Sequence, residues 1–125
     1  MAVPRVPRKI TIGTDFSGMD MPVLALQLLG VSHQHVFGCD NNPKCRVYGE
    51  SVYGTTLWYD DVSDRDITSA PYCDVFVWGA PCVSFSKLGK QRGVKDPRGQ
   101  LGGCSLDYIR HHKPRLTIME PSYHL

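Results

Sequence analysis

Short apolar runs, rich in β-branched or aromatic residues, recur along this chain at intervals that leave room for a helix between them. Runs of this kind, bounded by glycine, proline or acidic residues, are typical of buried strands. Strands are therefore predicted at residues 9–12, 36–39, 56–59, 74–78 and 116–119.

The intervening stretches have the apolar spacing and the terminal residues of helices. The first is bounded by Asp20 as a helix cap, Pro22 in the first turn and Gly30 after the last residue. The last ends in a basic cluster just before Pro114. Helices are predicted at residues 22–29, 43–53 and 100–112. Alternation of strands and helices predicts an α/β fold with a doubly wound, mostly parallel sheet.

The carboxyl ends of parallel strands form the edge at which ligands bind in this fold class. A chemically useful group follows each predicted strand: a glycine-bounded turn, carboxylates, a cysteine and a glutamate. In chain order these are Gly13 to Gly18, Asp40, Asp60 with Asp61, Gly79 to Cys82, and Glu120. The sequence therefore predicts one active-site edge.

The first two of these groups suggest a nucleotide-like ligand. The turn from Gly13 to Gly18 lets the backbone approach a ligand closely, and its plainer interpretation is a strand-to-helix turn. Asp40 follows Gly18 by 22 residues, which is typical of the acid that binds ribose hydroxyls. For Asp61 the alternative is a loop carboxylate or a helix cap, and Asp60 competes for its role.

Cys82 is the candidate nucleophile. It follows Pro81, whose fixed backbone angle helps to aim the thiol out of the strand. A thiolate is a strong nucleophile once neighbouring cations lower its pKa. A basic, glycine-jointed segment follows, and such a loop indicates binding of a phosphate backbone. Its basic residues are Lys87, Lys90, Arg92, Lys95 and Arg98.

Composition adds limits to this picture. The chain has 125 residues, 42% of them hydrophobic and 21% charged, which fits one soluble globular domain. A net charge of +2 does not by itself indicate a nucleic-acid partner. With no long apolar run and a basic, proline-broken start, an intracellular protein is expected, nuclear in a eukaryote and cytoplasmic in a bacterium or phage.

The remaining cysteines and histidines do not indicate a metal site. The cysteines form no CxxC pair and fit neither a zinc site nor a disulfide framework. We expect the four besides Cys82 to be buried as small hydrophobic side chains: Cys39, Cys45, Cys73 and Cys104. We expect His33 and His35 to be loop residues rather than metal ligands.

Taken in order, these motifs resemble those of the DNA (cytosine-5)-methyltransferases over nearly all of residues 9–120. Residues 79–89 are similar to the family's G-x-P-C-x-x-F-S-x-x-G catalytic motif, and residues 16–18 to its cofactor motif. Residues 96–101 resemble its D-x-R-G-x-L segment, and Met119 with Glu120 resembles the start of its E-N-V motif. The resemblance implies a Rossmann-like methyltransferase fold.

By this resemblance the cofactor is S-adenosylmethionine, with Phe16 against the adenine, Asp40 on the ribose hydroxyls and Asp61 near the adenine amine. The other implied cofactor-binding residues are Ser17, Gly18, Pro81 and Leu101. Cys82 would attack C6 of a cytosine flipped out of duplex DNA, and Glu120 would hydrogen-bond the ring edge and supply a proton at N3. The implied DNA-binding residues are Ser86, Lys87, Lys90, Arg92, Lys95 and Arg98.

The chain also departs from the family pattern. Asp20 lies in the family's glycine-rich cofactor motif, and Pro121 follows Glu120 where the family has asparagine. We expect residues 1–8 to be a tail and residues 9–125 a partial catalytic domain, without the target-recognition domain and C-terminal motifs, and weakly active or inactive alone. The alternatives are an inactive cofactor-binding or interaction module and a relative that methylates transfer RNA. A second chain that supplies the missing half is a further expectation.

Overall fold

The computed structural model describes residues 8–79 and 97–120, and only the backbone of residues 97–101. This part of the chain forms a five-stranded parallel sheet with helices packed on it. The strands are β1 (Ile10–Asp15), β2 (His33–Cys39), β3 (Trp58–Tyr59), β4 (Val75–Trp78) and β5 (Leu116–Met119). The helices are α1 (Met21–Leu28), α2 (Pro43–Val52) and α3 (Pro97–His112), with a 3-10 turn at Val62–Asp64. The predicted fold class is confirmed.

The strand order β3-β2-β1-β4-β5 creates a switch point in the middle of the sheet. The chain winds outward from β1 through β2 to β3 and then crosses to the other side for β4 and β5. In open α/β sheets ligands bind in the crevice where the winding reverses, which here lies between the carboxyl ends of β1 and β4. The register places Asp15 beside Trp78 at these two ends.

Apolar side chains cover both faces of the sheet. β4 contributes to both, because neighbouring residues of a strand point to opposite sides. The larger cluster includes a tyrosine of α3 and consists of Phe37, Ala70, Cys73, Phe76, Trp78 and Tyr108. The smaller cluster includes a valine of α1 and consists of Ile12, Val23 and Val77. A strand that is apolar throughout is expected when helices cover both sides of a parallel sheet. None of the helices described is long and apolar enough to cross a membrane.

Gly13 lies inside β1 and not in the turn that follows it. An added Cβ at Gly13 would overlap the ring of Phe37 in β2, so packing requires a glycine at this position. The strand continues through Asp15, and the left-handed backbone begins only at Phe16. The prediction that the glycine turn opens at Gly13 is therefore wrong.

The predicted helices are present. α2 begins at Pro43 as predicted, whereas α1 begins at Met21 and α3 at Pro97, both earlier than predicted. Gly30 adopts φ 68° directly after the α1 cap, which confirms it as a stop. Asp20 precedes α1, yet its side chain makes no capping hydrogen bond. Asp20 is thus the N-cap of α1 by position, as predicted, but its buried carboxylate accepts a hydrogen bond from Thr14 and does not cap the helix.

The two histidines predicted to lie in a loop belong to β2. His33 pairs with Ile10 and His35 with Ile12 of β1. The loop prediction is wrong because the pairing between β1 and β2 includes these polar residues, and His35 is buried in the sheet.

Candidate functional site

A cleft of about 170 Å³ opens at the carboxyl ends of β1, β4 and β5. Predicted site residues from three strand ends contribute to its wall: Phe16, Ser17, Gly79 and Glu120. The amide of Glu120 donates a hydrogen bond of 2.9 Å to the carbonyl of Trp78, which holds β5 against β4 at this edge. Gly79 has no room for a side chain, because an added Cβ would lie 2.9 Å from the carbonyl oxygen of Glu120. The expected convergence on one edge is confirmed for these residues.

The turn after β1 has an unusual backbone conformation. Phe16 and Gly18 have φ angles of 55° and 54°, and the left-handed region is costly for an aromatic residue. Ser17 fixes the turn to the end of β2 through two hydrogen bonds of 2.9 Å. Its amide donates to the carbonyl of Cys39, and its hydroxyl accepts from the amide of Cys39. These bonds hold Phe16 in the wall of the cleft.

Asp40 supports the same turn from the end of β2. One carboxylate oxygen accepts a hydrogen bond of 2.9 Å from the amide of Gly18, and the other accepts one of 2.9 Å from the amide of Asn42. A carboxylate oxygen can accept a second hydrogen bond, so Asp40 retains acceptors for ligand hydroxyls. The structure thus places the predicted ribose-binding acid in contact with the predicted cofactor turn.

Asp61 has a structural partner of its own. It precedes the 3-10 turn and accepts hydrogen bonds from the hydroxyl and amide of Ser63, at 2.6 and 2.9 Å, which lower the pKa of Asp61. Its neighbour Asp60 forms a surface ion pair with Arg46 at 3.1 Å. Asp61 is not part of the cleft wall as far as the structure describes it. The capping alternative is confirmed, and the cofactor role of Asp61 stays a prediction.

A buried polar group beneath the turn was not predicted from the sequence. The hydroxyl of Thr14 donates to Asp20 at 2.7 Å and lies 2.9 Å from Nε2 of His35. Nδ1 of His35 lies 2.7 Å from the hydroxyl of Thr55. Burial raises the pKa of Asp20 to about 6 and lowers the pKa of His35 to about 4. In the sequence, the one indication of this buried group was Asp20, an acid at a position where the resembled family has its glycine-rich cofactor motif.

A second unpredicted group, here called the Asp15 network, consists of Asp15, Arg65 and Ser105, which are all buried. The guanidinium of Arg65 donates to both carboxylate oxygens of Asp15, with 2.9 Å for the bond to Oδ2. The hydroxyl of Ser105 in α3 donates to the same oxygen at 2.7 Å. A charged residue at the end of a buried strand was the only signal in the sequence, because such charges are rarely buried without a partner.

Several predicted site residues lie outside the described part of the chain: Pro81, Cys82, Ser86, Lys87, Lys90, Arg92 and Lys95. Arg98 and Leu101 lie on α3, in the segment described by its backbone alone. The roles assigned to all of these residues stay predictions.

The other four cysteines differ in burial. Cys39 and Cys73 are buried as predicted, and burial raises their pKa to about 12 and about 11. Cys45 and Cys104 are only partly buried, so the prediction is wrong for them. Both lie on helices, where a side chain can face partly toward solvent.

Comparison with known proteins identifies a family and similar sequences. The sequence matches the family model for C-5 cytosine-specific DNA methylase over residues 15–125. The orphan methyltransferase M.Rho11sI of Bacillus phage rho11s is 30% identical over 118 residues, which cover 90% of this chain and 23% of that protein. The type II methyltransferase M.HhaI of Haemophilus parahaemolyticus is 30% identical over 110 residues, which cover 84% of this chain and 31% of that protein.

The fold has a matching relative among solved structures. The crystal structure of S. pombe Dnmt2 methyltransferase superposes with a TM-score of 0.69 at 21% identity, covering 90% of this chain and 36% of that one. At this identity the likeness shows the fold alone, a Rossmann-like α/β fold. The chain spans less than a third of the length of M.Rho11sI and of M.HhaI. Because the family model covers nearly the whole chain, including the turn after β1 and Glu120, the chain belongs to the C-5 cytosine-specific DNA methylase family.

Proposed function

We propose that this chain carries the cofactor-binding and nucleophile-bearing part of an enzyme that transfers a methyl group from S-adenosylmethionine to C5 of cytosine in DNA. The observation that carries the proposal is the hydrogen bond of 2.9 Å from Gly18 to Asp40, which joins the turn after β1 to the acid after β2 beside the switch point. Two similar proteins, M.Rho11sI and M.HhaI, are methyltransferases.

The described side chains fit an adenosine-containing cofactor. Phe16 supplies an aromatic side chain in the cleft wall. Asp40 lies outside that wall, in contact with the turn, and supplies acceptors for two ribose hydroxyls. The turn that ends at Gly18 allows a close approach of the ligand to the backbone. When bound, S-adenosylmethionine supplies an electrophilic methyl group.

In this proposal Cys82 is the nucleophile. Its thiolate attacks C6 of the cytosine, which breaks the aromatic ring system and makes C5 nucleophilic enough to take the methyl group. Glu120, whose residue contributes to the cleft wall, hydrogen-bonds the ring edge and supplies a proton at N3. After methyl transfer the C5 proton is lost to solvent and the thiolate leaves C6, while the N3 proton returns to Glu120, so that the aromatic ring is restored.

The substrate must present its cytosine outside the base stack, because neither carbon is accessible to these groups within a duplex. Flipping a nucleotide costs a few kcal/mol in lost stacking and pairing. The basic residues after Cys82 are suited to bind the flanking phosphates. We propose that Ser86 binds these phosphates together with the basic residues Lys87, Lys90, Arg92, Lys95 and Arg98.

Transfer of tritium from labelled S-adenosylmethionine to mixed-sequence duplex DNA tests the proposal. The protein is this chain joined to the C-terminal region of a family member, with asparagine and valine restored at positions 121 and 122. We expect transfer by this fusion, little by the chain alone, and a loss of at least about 10³-fold in Cys82→Ser. Cys45→Ser, which changes a partly buried thiol on α2, serves as the control and should remain active.

Three outcomes of this assay, run also with transfer RNA as the acceptor, would contradict the proposal. A silent fusion, or transfer that persists in Cys82→Ser, would remove the methyltransferase mechanism. Transfer to transfer RNA but not to DNA would contradict the substrate alone and favour the transfer-RNA alternative.

A further inference from the structure

The Asp15 network joins three of the segments that carry predicted cofactor-binding residues. Its first member directly precedes Phe16, its second follows Asp61 by four residues, and its third follows Leu101 by four residues on α3. The three segments are distant in the sequence, and the network brings them together in the folded chain. The position of each predicted residue therefore depends on a backbone that is anchored a few residues away.

The geometry of the network is well defined. A guanidinium that donates to both oxygens of a carboxylate fixes the relative orientation of the two groups as well as their separation. Both side chains are 0% exposed, and a buried ion pair contributes little net stability compared with apolar side chains of the same size. Three aromatic rings enclose the guanidinium, with centroids 5.7, 5.6 and 5.3 Å from Cζ: Phe37, Tyr59 and Tyr108. Such an arrangement suits a role in positioning.

The network lies directly against the cleft. Asp15 belongs to the cleft wall and pairs in register with Trp78 at the ends of β1 and β4. Phe16 has a left-handed backbone, and a strained conformation persists only where its surroundings hold it. The anchored carboxylate of Asp15 is one such constraint, since it fixes the last residue of β1 before the turn.

We propose that Asp15, Arg65 and Ser105 are positioning residues that set the separation between the Phe16 turn, the Asp61 segment and α3, and thereby the selectivity for adenine. This inference rests on the proposed function. The Asp15 side chain is 0% exposed and its carboxylate accepts three hydrogen bonds within the protein, so the network acts through the backbone and not by direct contact with the ligand.

The test compares two ligands by calorimetric titration: S-adenosylhomocysteine and S-inosylhomocysteine, in which a carbonyl replaces the adenine amine. The readout is the ratio of the two affinities, because a general loss of stability weakens both ligands alike and leaves the ratio unchanged. We expect the natural chain to prefer S-adenosylhomocysteine. In Ser105→Ala and in Arg65→Lys the preference should fall about three- to tenfold, the effect of one weakened hydrogen bond.

Asp74→Asn is the matched control. Asp74 links β1 to β4 at the opposite end of the strands, where it accepts a hydrogen bond of 3.0 Å from the amide of Thr11 and pairs with Arg8 at 3.3 Å. This variant should lower the melting temperature and leave the affinity ratio unchanged.

The outcomes separate this inference from the proposed function. A natural chain that binds neither ligand would overturn the proposed function and this inference with it. A natural chain that binds both ligands equally would overturn only the inference, as would an unchanged ratio in the network variants or an equal change in Asp74→Asn. Ser105→Ala loses a single hydrogen bond, so it decides the question even where Arg65→Lys does not fold.

Discussion

Asp20 and His35 lie 3.8 Å apart with fully buried side chains, and burial shifts their pKa values in opposite directions. The pKa of Asp20 rises from 3.8 to about 6, so its contribution to stability is complete below pH 3.8 and is lost as the pH rises through 6. The pKa of His35 falls from 6.5 to about 4, so its contribution is complete above pH 6.5 and is lost as the pH falls through 4. The two effects oppose each other between about pH 4 and 6.

We predict that the single variants have opposite pH dependences in this window. In Asp20→Asn the remaining histidine makes the free energy of unfolding rise with pH, and in His35→Gln the remaining acid makes it fall, each by up to about 1.4 kcal/mol per pH unit. The natural chain should lie between them. Urea unfolding at several pH values gives the slopes. A slope in Asp20→Asn that is no more positive than the slope in His35→Gln would contradict the assignment.

Other titratable groups do not obscure this comparison. Among the described residues, three carboxylates have a pKa lowered by hydrogen bonds, and they affect the pH dependence of stability only below their ordinary pKa of 3.8: Asp61, Asp66 and Asp74. They are also present in both variants, so they cancel in the difference.

Between elements, β1 and β2 pack closely because Gly13 leaves space for the ring of Phe37. We predict that Gly13→Ala lowers the free energy of unfolding by about 1–3 kcal/mol, since the ring must shift in a packed core. Gly103→Ala, in α3, is the matched control because an added Cβ meets nothing within 4 Å. It should raise the free energy by about 0.5–1 kcal/mol. A stabilising effect of Gly13→Ala in urea unfolding would exclude the close packing.

The order and type of the elements could be predicted from local patterns, whereas several of their boundaries could not. Apolar runs identified the five strands, and Gly30 ended α1 as its position indicated. His33 joined β2 because Ile10 pairs with it from β1. β3 contains only Trp58 and Tyr59 because only these two residues pair with β2. Pairing depends on the neighbouring strand, and local composition does not report it.

For the molecule as a whole, parallel strands made much of the candidate site predictable. Their carboxyl ends share one edge, so residues after different strands, such as Gly18 and Asp40, could be expected to meet. The partner of Asp15 could not be predicted, because Arg65 is 50 residues away and no local pattern links them. The same holds for Asp20, whose contacts depend on how α1 and β2 pack together.

The cofactor site is tested most directly by calorimetric titration of the natural chain with S-adenosylmethionine, beside Asp40→Ala and Asp107→Ala. Asp107 is the matched control, an exposed acid of α3 that pairs with Arg110 on the surface. We predict binding by the natural chain and by Asp107→Ala, and at least about tenfold weaker binding by Asp40→Ala, since charged hydrogen bonds to the ligand and to Gly18 are lost. No heat at millimolar ligand, which corresponds to about −4 kcal/mol of binding, or equal losses in the two variants, would contradict a cofactor site at this edge.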